Sequence, residues 1–176
     1  MLKKTLILCL AGLASTLIYA QQAAPDAPAK PEAAPPAAGS AMTPVQRADS
    51  APQGSLKNPY KDDDAAIVAA GSKLYLGYGC NGCHGGNGGG GMCPPLTNDV
   101  WVYGGDDDTL FRLVAYGSQT LQSKGYSRKA QESVVGPMPQ MGQVVKTDDE
   151  LWRILAFVRS NYHGAPECKF GCPPNS

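Results

Sequence analysis

The chain has 176 residues, with 15 Lys or Arg against 15 Asp or Glu and no net formal charge. Its basic residues form no run or stripe, which excludes a nucleic-acid partner held by electrostatics. Once both ends are set aside, the length serves one small core and not two.

Residues 1–20 read as a secretory signal. Lys3 and Lys4 give a basic start, Thr5 to Ile18 is apolar, and Tyr19-Ala20 precedes Gln21. A basic start, a short apolar run and a small residue at the cut describe a removable leader. The apolar run is shorter than the ~20 residues of a spanning helix, so membrane association is expected only through an uncleaved signal. Cleavage removes Cys9 and two lysines, leaving 13 basic against 15 acidic residues, a net charge of −2. The expected compartment is the periplasm.

Residues 21–54 are rich in Ala and Pro and poor in large apolar groups. Such a segment buries too little surface to offset the entropy of ordering, and it is expected to be a disordered, semi-stiff tether. The folded domain is expected over 55–166, followed by a cysteine-containing tail over 167–176.

A first helix is predicted from Asp62 to about Tyr78. Asp62, Asp63 and Asp64 suit the positive end of the helix dipole. Ile67, Gly71, Leu74 and Tyr78 recur at helical spacing on one face. A glycine is costly within a helix, so Gly71 implies close approach of a second helix.

Cys80-Asn81-Gly82-Cys83-His84 follows. C-x-x-C-H is the attachment site of a c-type haem. The two thiols can each bond one side group of a porphyrin, and the adjoining imidazole falls under the iron. A zinc site is the competing reading of C-x-x-C. It would draw further ligands from Cys93, Cys168 or Cys172, but the intervals are irregular and no second C-x-x-C exists. The pattern points to one covalent haem c held by Cys80, Cys83 and His84.

Gly85 to Gly91 is too permissive for helix or strand and is predicted to be a flexible loop. No Gly-Lys-Ser/Thr follows it, which excludes a phosphate cradle. In Cys93-Pro94-Pro95-Leu96 the prolines force an extended backbone. A carbonyl there can hold the far nitrogen of His84 and fix its tautomer.

Asp107-Asp108-Thr109 opens a short helix ending at Tyr116, with Gly117 as its stop. Asp106 to Asp108 lack the alternating ligands of a calcium loop and read as a solvated helix start. Val134 to Gly142 then forms a proline-bounded strap carrying Met138 and Met141. Prolines on both sides of Met138 pre-set its backbone, favouring it as the sixth iron ligand. Met141 stays open as an alternative, and a thioether that only fills core space is the competing reading for either. His163 is the other histidine, beyond the last helix. A capping box at Thr147 and Glu150 opens that helix, predicted from Asp148 to about Tyr162. Leu151, Ile154, Leu155, Val158 and Tyr162 form its apolar stripe, with the Gly71 face as counterpart.

Together these residues resemble a class I cytochrome c, over about Asp62 to Tyr162. The resemblance implies an all-α fold, with crossed amino- and carboxy-terminal helices around one covalent haem. Gly71 stands one residue further from Cys80 than is usual in that family, which puts the turn before the haem motif in question. The stretch Gly91 to Asp108, with Val134 to Pro139, is similar to the cytochromes that accept electrons from periplasmic PQQ-dependent alcohol dehydrogenases. That likeness implies Met138 as axial ligand and Pro94 as the carbonyl on His84. It also implies a quinoprotein donor, with a cytochrome or terminal oxidase as acceptor. The implied protein is an electron carrier and not an enzyme. A general shuttle between a respiratory complex and an oxidase is one alternative, and a peroxidase-type haem enzyme is another. Three cysteines are left over, Cys93, Cys168 and Cys172. An oxidising compartment favours one disulfide among them, and all three pairings are open.

Overall fold

The computed structural model describes residues 41–97, 101–130 and 135–170. Residues 1–40, where the leader and most of the tether are expected, lie outside the described residues, as do 98–100, 131–134 and 171–176. Among the described residues there is no strand. The elements are α1 (Pro44–Ser50), α2 (Ala65–Gly77), α3 (Asn81–His84), α4 (Asp107–Ser123), α5 (Asp148–Ser160) and a 3-10 turn, Pro166–Cys168.

The most extensive helix pair is α2 with α5. Helix α2 starts where the Asp64 carboxylate accepts from the amides of Ala66 and Ile67. Helix α5 starts with the Thr147–Glu150 capping box, formed in both directions. The helices cross at Gly71, where a Cβ would lie 2.0 Å from the Arg153 carbonyl oxygen and 2.9 Å from Phe157 Cβ. The stripe of α2 that reaches the core is Ile67, Gly71 and Tyr75, spaced four residues apart. The expected Leu74 and Tyr78 are only half-buried. Tyr75 meets Phe157 with ring centroids 5.1 Å apart, and Trp152 meets Phe111 at 4.3 Å. Leu151, Ile154, Leu155 and Val158 are all buried, each side chain contributing about 1.5–3 kcal/mol on burial.

Three expectations need correction. The tether was drawn to Gly54, yet residues 41–54 pack on the domain. Helix α1 begins with its own capping box, Thr43 with Gln46, and buries Pro44 and Ala48. Arg47 Nε pairs with Asp148 Oδ2 at 2.8 Å, and the Asp148 amide donates to Met42 O at 2.8 Å. The segment places Ala48 in the core with Val45 and Ala51 against it, and its polar groups find partners on α4 and α5, which composition does not record.

The acidic start of α4 is not simply solvated. Asp106 is the N-cap and accepts from the Thr109 amide at 2.9 Å, but Asp108 is only 2% exposed. It takes Arg112 Nε at 2.8 Å, the Tyr126 hydroxyl at 2.7 Å and the Leu56 amide at 3.2 Å. Arg112 continues the network to Ala48 O at 2.6 Å and to Ala51 O and Pro52 O at 2.9 Å each. One buried guanidinium thus ties three carbonyls of the amino-terminal segment to α4.

Gly117 is more than a stop. Its φ of +75° breaks the helical path, and a second helical segment resumes at once and runs to Ser123.

Candidate functional site

Helix α2 is capped at Tyr78, and the chain turns through Gly79 into Cys80. That turn is wide: the Cys80 amide donates back five residues to Tyr75 O at 3.1 Å. Cys80 already has helical dihedrals, and the His84 amide closes the turn on Cys80 O at 3.0 Å. Positions i, i+3 and i+4 of one turn share a face, so the turn presents Cys80, Cys83 and His84 together. Both thiols are free and half-buried, as is His84.

The imidazole is oriented. His84 Nδ1 lies 2.9 Å from Pro94 O, which makes Nδ1 the protonated nitrogen and leaves Nε2 with its lone pair for a metal. Pro94 is brought there by two backbone bonds. The Cys93 amide donates to Cys83 O at 3.1 Å, and the Leu96 amide to Gly88 O at 2.6 Å. The glycine run, expected to be a flexible loop, is tied in as well. The Gly90 amide donates to His84 O at 2.8 Å, and the Gly88 amide to Gly85 O at 3.1 Å.

Tyr75 is a site residue that sequence reasoning passed over. Its hydroxyl donates to Gly85 O at 2.7 Å. Burial pushes its phenol up to about 12, so it remains a donor. The signal was its spacing: Tyr75 completes the row begun by Ile67 and Gly71.

The methionine strap lies along α4. The Met141 amide donates to Val114 O at 3.0 Å and the Gly142 amide to Ala115 O at 3.2 Å. Met141 packs against the hydrophobic core. Met138 is half-buried while Val135 to Pro137, Pro139 and Gln140 are exposed. Met92 is 60% exposed, and His163 is exposed at the end of α5. The strap's first residue, Val134, lies outside the described residues.

The remaining cysteines are partly resolved. Cys93 is a free thiol and Cys168 is disulfide-bonded. The two pairings that use Cys93 are thereby excluded, and the partner of Cys168 lies outside the described residues, as does Cys172. Among the described residues, no group of three or more His, Cys, Asp or Glu side chains is arranged to hold a metal ion.

The Cytochrome c family profile matches residues 68–161, more than half of the chain. The chain belongs to the cytochrome c family. It is an all-α electron-transfer protein that carries covalent haem c. No curated protein matches it. Among solved structures it is similar to cytochrome CL from the marine methylotrophic bacterium Methylophaga aminisulfidivorans MPT. The identity is 25%, covering 73% of this chain and 74% of that one, with a TM-score of 0.49.

The residues of this cytochrome fit the haem on their own chemistry. Two thiols stand three residues apart on one turn and are not bridged to each other. An imidazole beside them has one nitrogen already hydrogen-bonded. Leu96, Trp101, Val102 and Val114 are only partly buried against the core, which leaves apolar surface of the kind a porphyrin covers. No helix among the described residues is long and apolar enough to cross a membrane.

Proposed function

We propose that this cytochrome carries single electrons in the periplasm. It accepts them from a PQQ-dependent alcohol dehydrogenase and passes them to another cytochrome or a terminal oxidase. Cys80 and Cys83 form the thioether links, and His84 and Met138 are the axial ligands. When bound, the haem supplies a one-electron ferric/ferrous couple. The chain orients the ligands, sets the potential and limits exposure.

The observation that carries this reading is the 2.9 Å bond from His84 Nδ1 to Pro94 O. It supports Nε2 as the nitrogen that ligates the metal and holds the ring in place. The choice of Met138 is supported by its half-buried side chain between exposed neighbours on both sides, and by the packing of Met141 against the core. The export reading rests on residues 1–20. The donor rests on the likeness of Gly91 to Asp108 and of the strap to the dehydrogenase-linked cytochromes.

The visible absorption spectrum of the exported protein tests the ligation. A low-spin c-type spectrum with the far-red methionine–ferric band is expected. Met138→Ala is expected to abolish that band and Met141→Ala to retain it. A high-spin spectrum that shifts on adding cyanide would instead mean an open sixth site and a ligand-binding or catalytic protein. The donor is tested by mixing oxidised cytochrome with reduced quinoprotein alcohol dehydrogenase in a stopped-flow instrument. Reduction should be much faster than by an unrelated dehydrogenase. Equal rates would leave a general respiratory shuttle.

A further inference from the structure

Gly117 breaks α4 directly beneath the methionine strap. At such a break the last carbonyls of one helical segment and the first amides of the next lose their helical partners. The strap takes them up. Val114 O and Ala115 O receive the amides of Met141 and Gly142, and the Ser118 amide donates to Met138 O at 3.0 Å. The fit is close: a Cβ at Gly117 would lie 2.7 Å from Met138 O and 2.8 Å from the Gln140 nitrogen.

Ser118 makes a second bond to the same residue. The Met138 amide donates to Ser118 Oγ at 3.0 Å. Both peptide groups of Met138 therefore end on Ser118, one on its amide and one on its hydroxyl. Pro137 and Pro139 have no amide hydrogen, so Met138 supplies the donor for this three-residue stretch. Ser118 is 7% exposed, and water is a poor substitute for its hydroxyl.

We propose that Ser118 is the positioning residue of Met138, clamping both of its peptide groups across the Gly117 break and so setting how long the thioether stays on the iron. The inference rests on Met138 as axial ligand. A thioether on an unclamped strap would leave more often, and an external ligand would enter at each departure.

The test uses the full-length haem-loaded protein with Ser118→Ala and Ser118→Thr. Alanine removes the acceptor from the Met138 amide and leaves the bond to Met138 O. Threonine keeps the hydroxyl. The readouts are the rate at which cyanide displaces the sixth ligand of the ferric protein and the strength of the far-red methionine band. Loss of one hydrogen bond is expected to speed cyanide entry roughly fivefold in Ser118→Ala, with Ser118→Thr near wild type.

A cyanide rate within about twofold of wild type in Ser118→Ala overturns the proposal, whatever happens to the denaturation midpoint, since a net hydrogen bond is worth more than that. Equal acceleration in both variants assigns the effect to packing and also overturns it. If Ser118→Ala yields no haem-loaded protein, Ser118→Cys replaces it under the same criterion. Failure of the underlying ligand assignment looks different: the far-red band would survive in Met138→Ala.

Discussion

Gly71→Ala is expected to destabilise the cytochrome by at least about 2 kcal/mol. The added methyl carbon would lie 2.0 Å from the Arg153 carbonyl oxygen, 2.7 Å from its carbon and 2.9 Å from Phe157 Cβ. The nearest two atoms are backbone, so no rotamer change relieves the overlap, and α2 must move away from α5. This crossing is the most extensive helix contact among the described residues. Moving it loosens Tyr75 from Phe157 and with it the hydroxyl that holds Gly85 O beside His84. Intrinsic propensity acts in the opposite direction, since alanine improves a helix by about 1 kcal/mol over glycine. The sign of the effect is therefore diagnostic. Urea denaturation of the haem-loaded protein should show a lower midpoint, and thermal denaturation a fall of roughly 10 °C. An unchanged or raised midpoint would mean that the helices do not cross this closely.

Arg112→Ala is expected to cost about 3–5 kcal/mol, the usual consequence of leaving one partner of a buried pair behind. The guanidinium and the Asp108 carboxylate are 6% and 2% exposed in their side chains and lie 2.8 Å apart. The variant also abandons the carbonyls of Ala48, Ala51 and Pro52. Its unfolding should therefore begin at residues 44–56, read as faster amide exchange there than in α2 or α5. Uniform acceleration, or none, would count against the network.

The pH dependence follows from the same carboxylate. Burial alone would raise the Asp108 carboxyl, but hydrogen bonds from Arg112, Tyr126 and the amides of Gly54 and Leu56 outweigh it and hold the group below the usual carboxylate range. A folded pKa below the unfolded one stabilises the fold above the unfolded value of about 3.9. That stabilisation is lost as pH falls from there through the folded pKa. Wild-type stability should drop below about pH 4, and Asp108→Asn should be less stable at neutral pH with a shallower acid slope. Equal slopes would place the acid-sensitive group elsewhere.

The elements legible in the sequence are those whose signals are local. The Thr147–Glu150 box stands at the start of α5, and the apolar stripe of that helix packs as its spacing requires. Gly71 marked a close approach because a glycine inside a helix needs a packing reason, and Arg153 O supplies it. The turn that gathers Cys80, Cys83 and His84 follows from their spacing alone. Other features were misread because their causes are distant in sequence. Residues 41–54 carry few large apolar groups and so give no sign of order, yet Arg47, Arg112 and Asp148 hold them. Asp108 looked solvated because its partners Leu56 and Tyr126 lie far along the chain. The glycine loop looked loose because backbone bonds to His84 and Leu96 leave no trace in composition.

The sequence by itself determined the haem chemistry, the helical class and the crossing of two helices, since spacing on a single turn or a single face is enough to specify each. Only the tertiary structure decided what holds those groups in register. Tyr75 on Gly85, Arg112 on the amino-terminal segment and Ser118 on Met138 are bonds between side chains and backbone groups 10 to 64 residues apart. Proline apart, backbone donors and acceptors are the same at every position, so residue type does not announce which one a distant side chain will meet until the helices have packed.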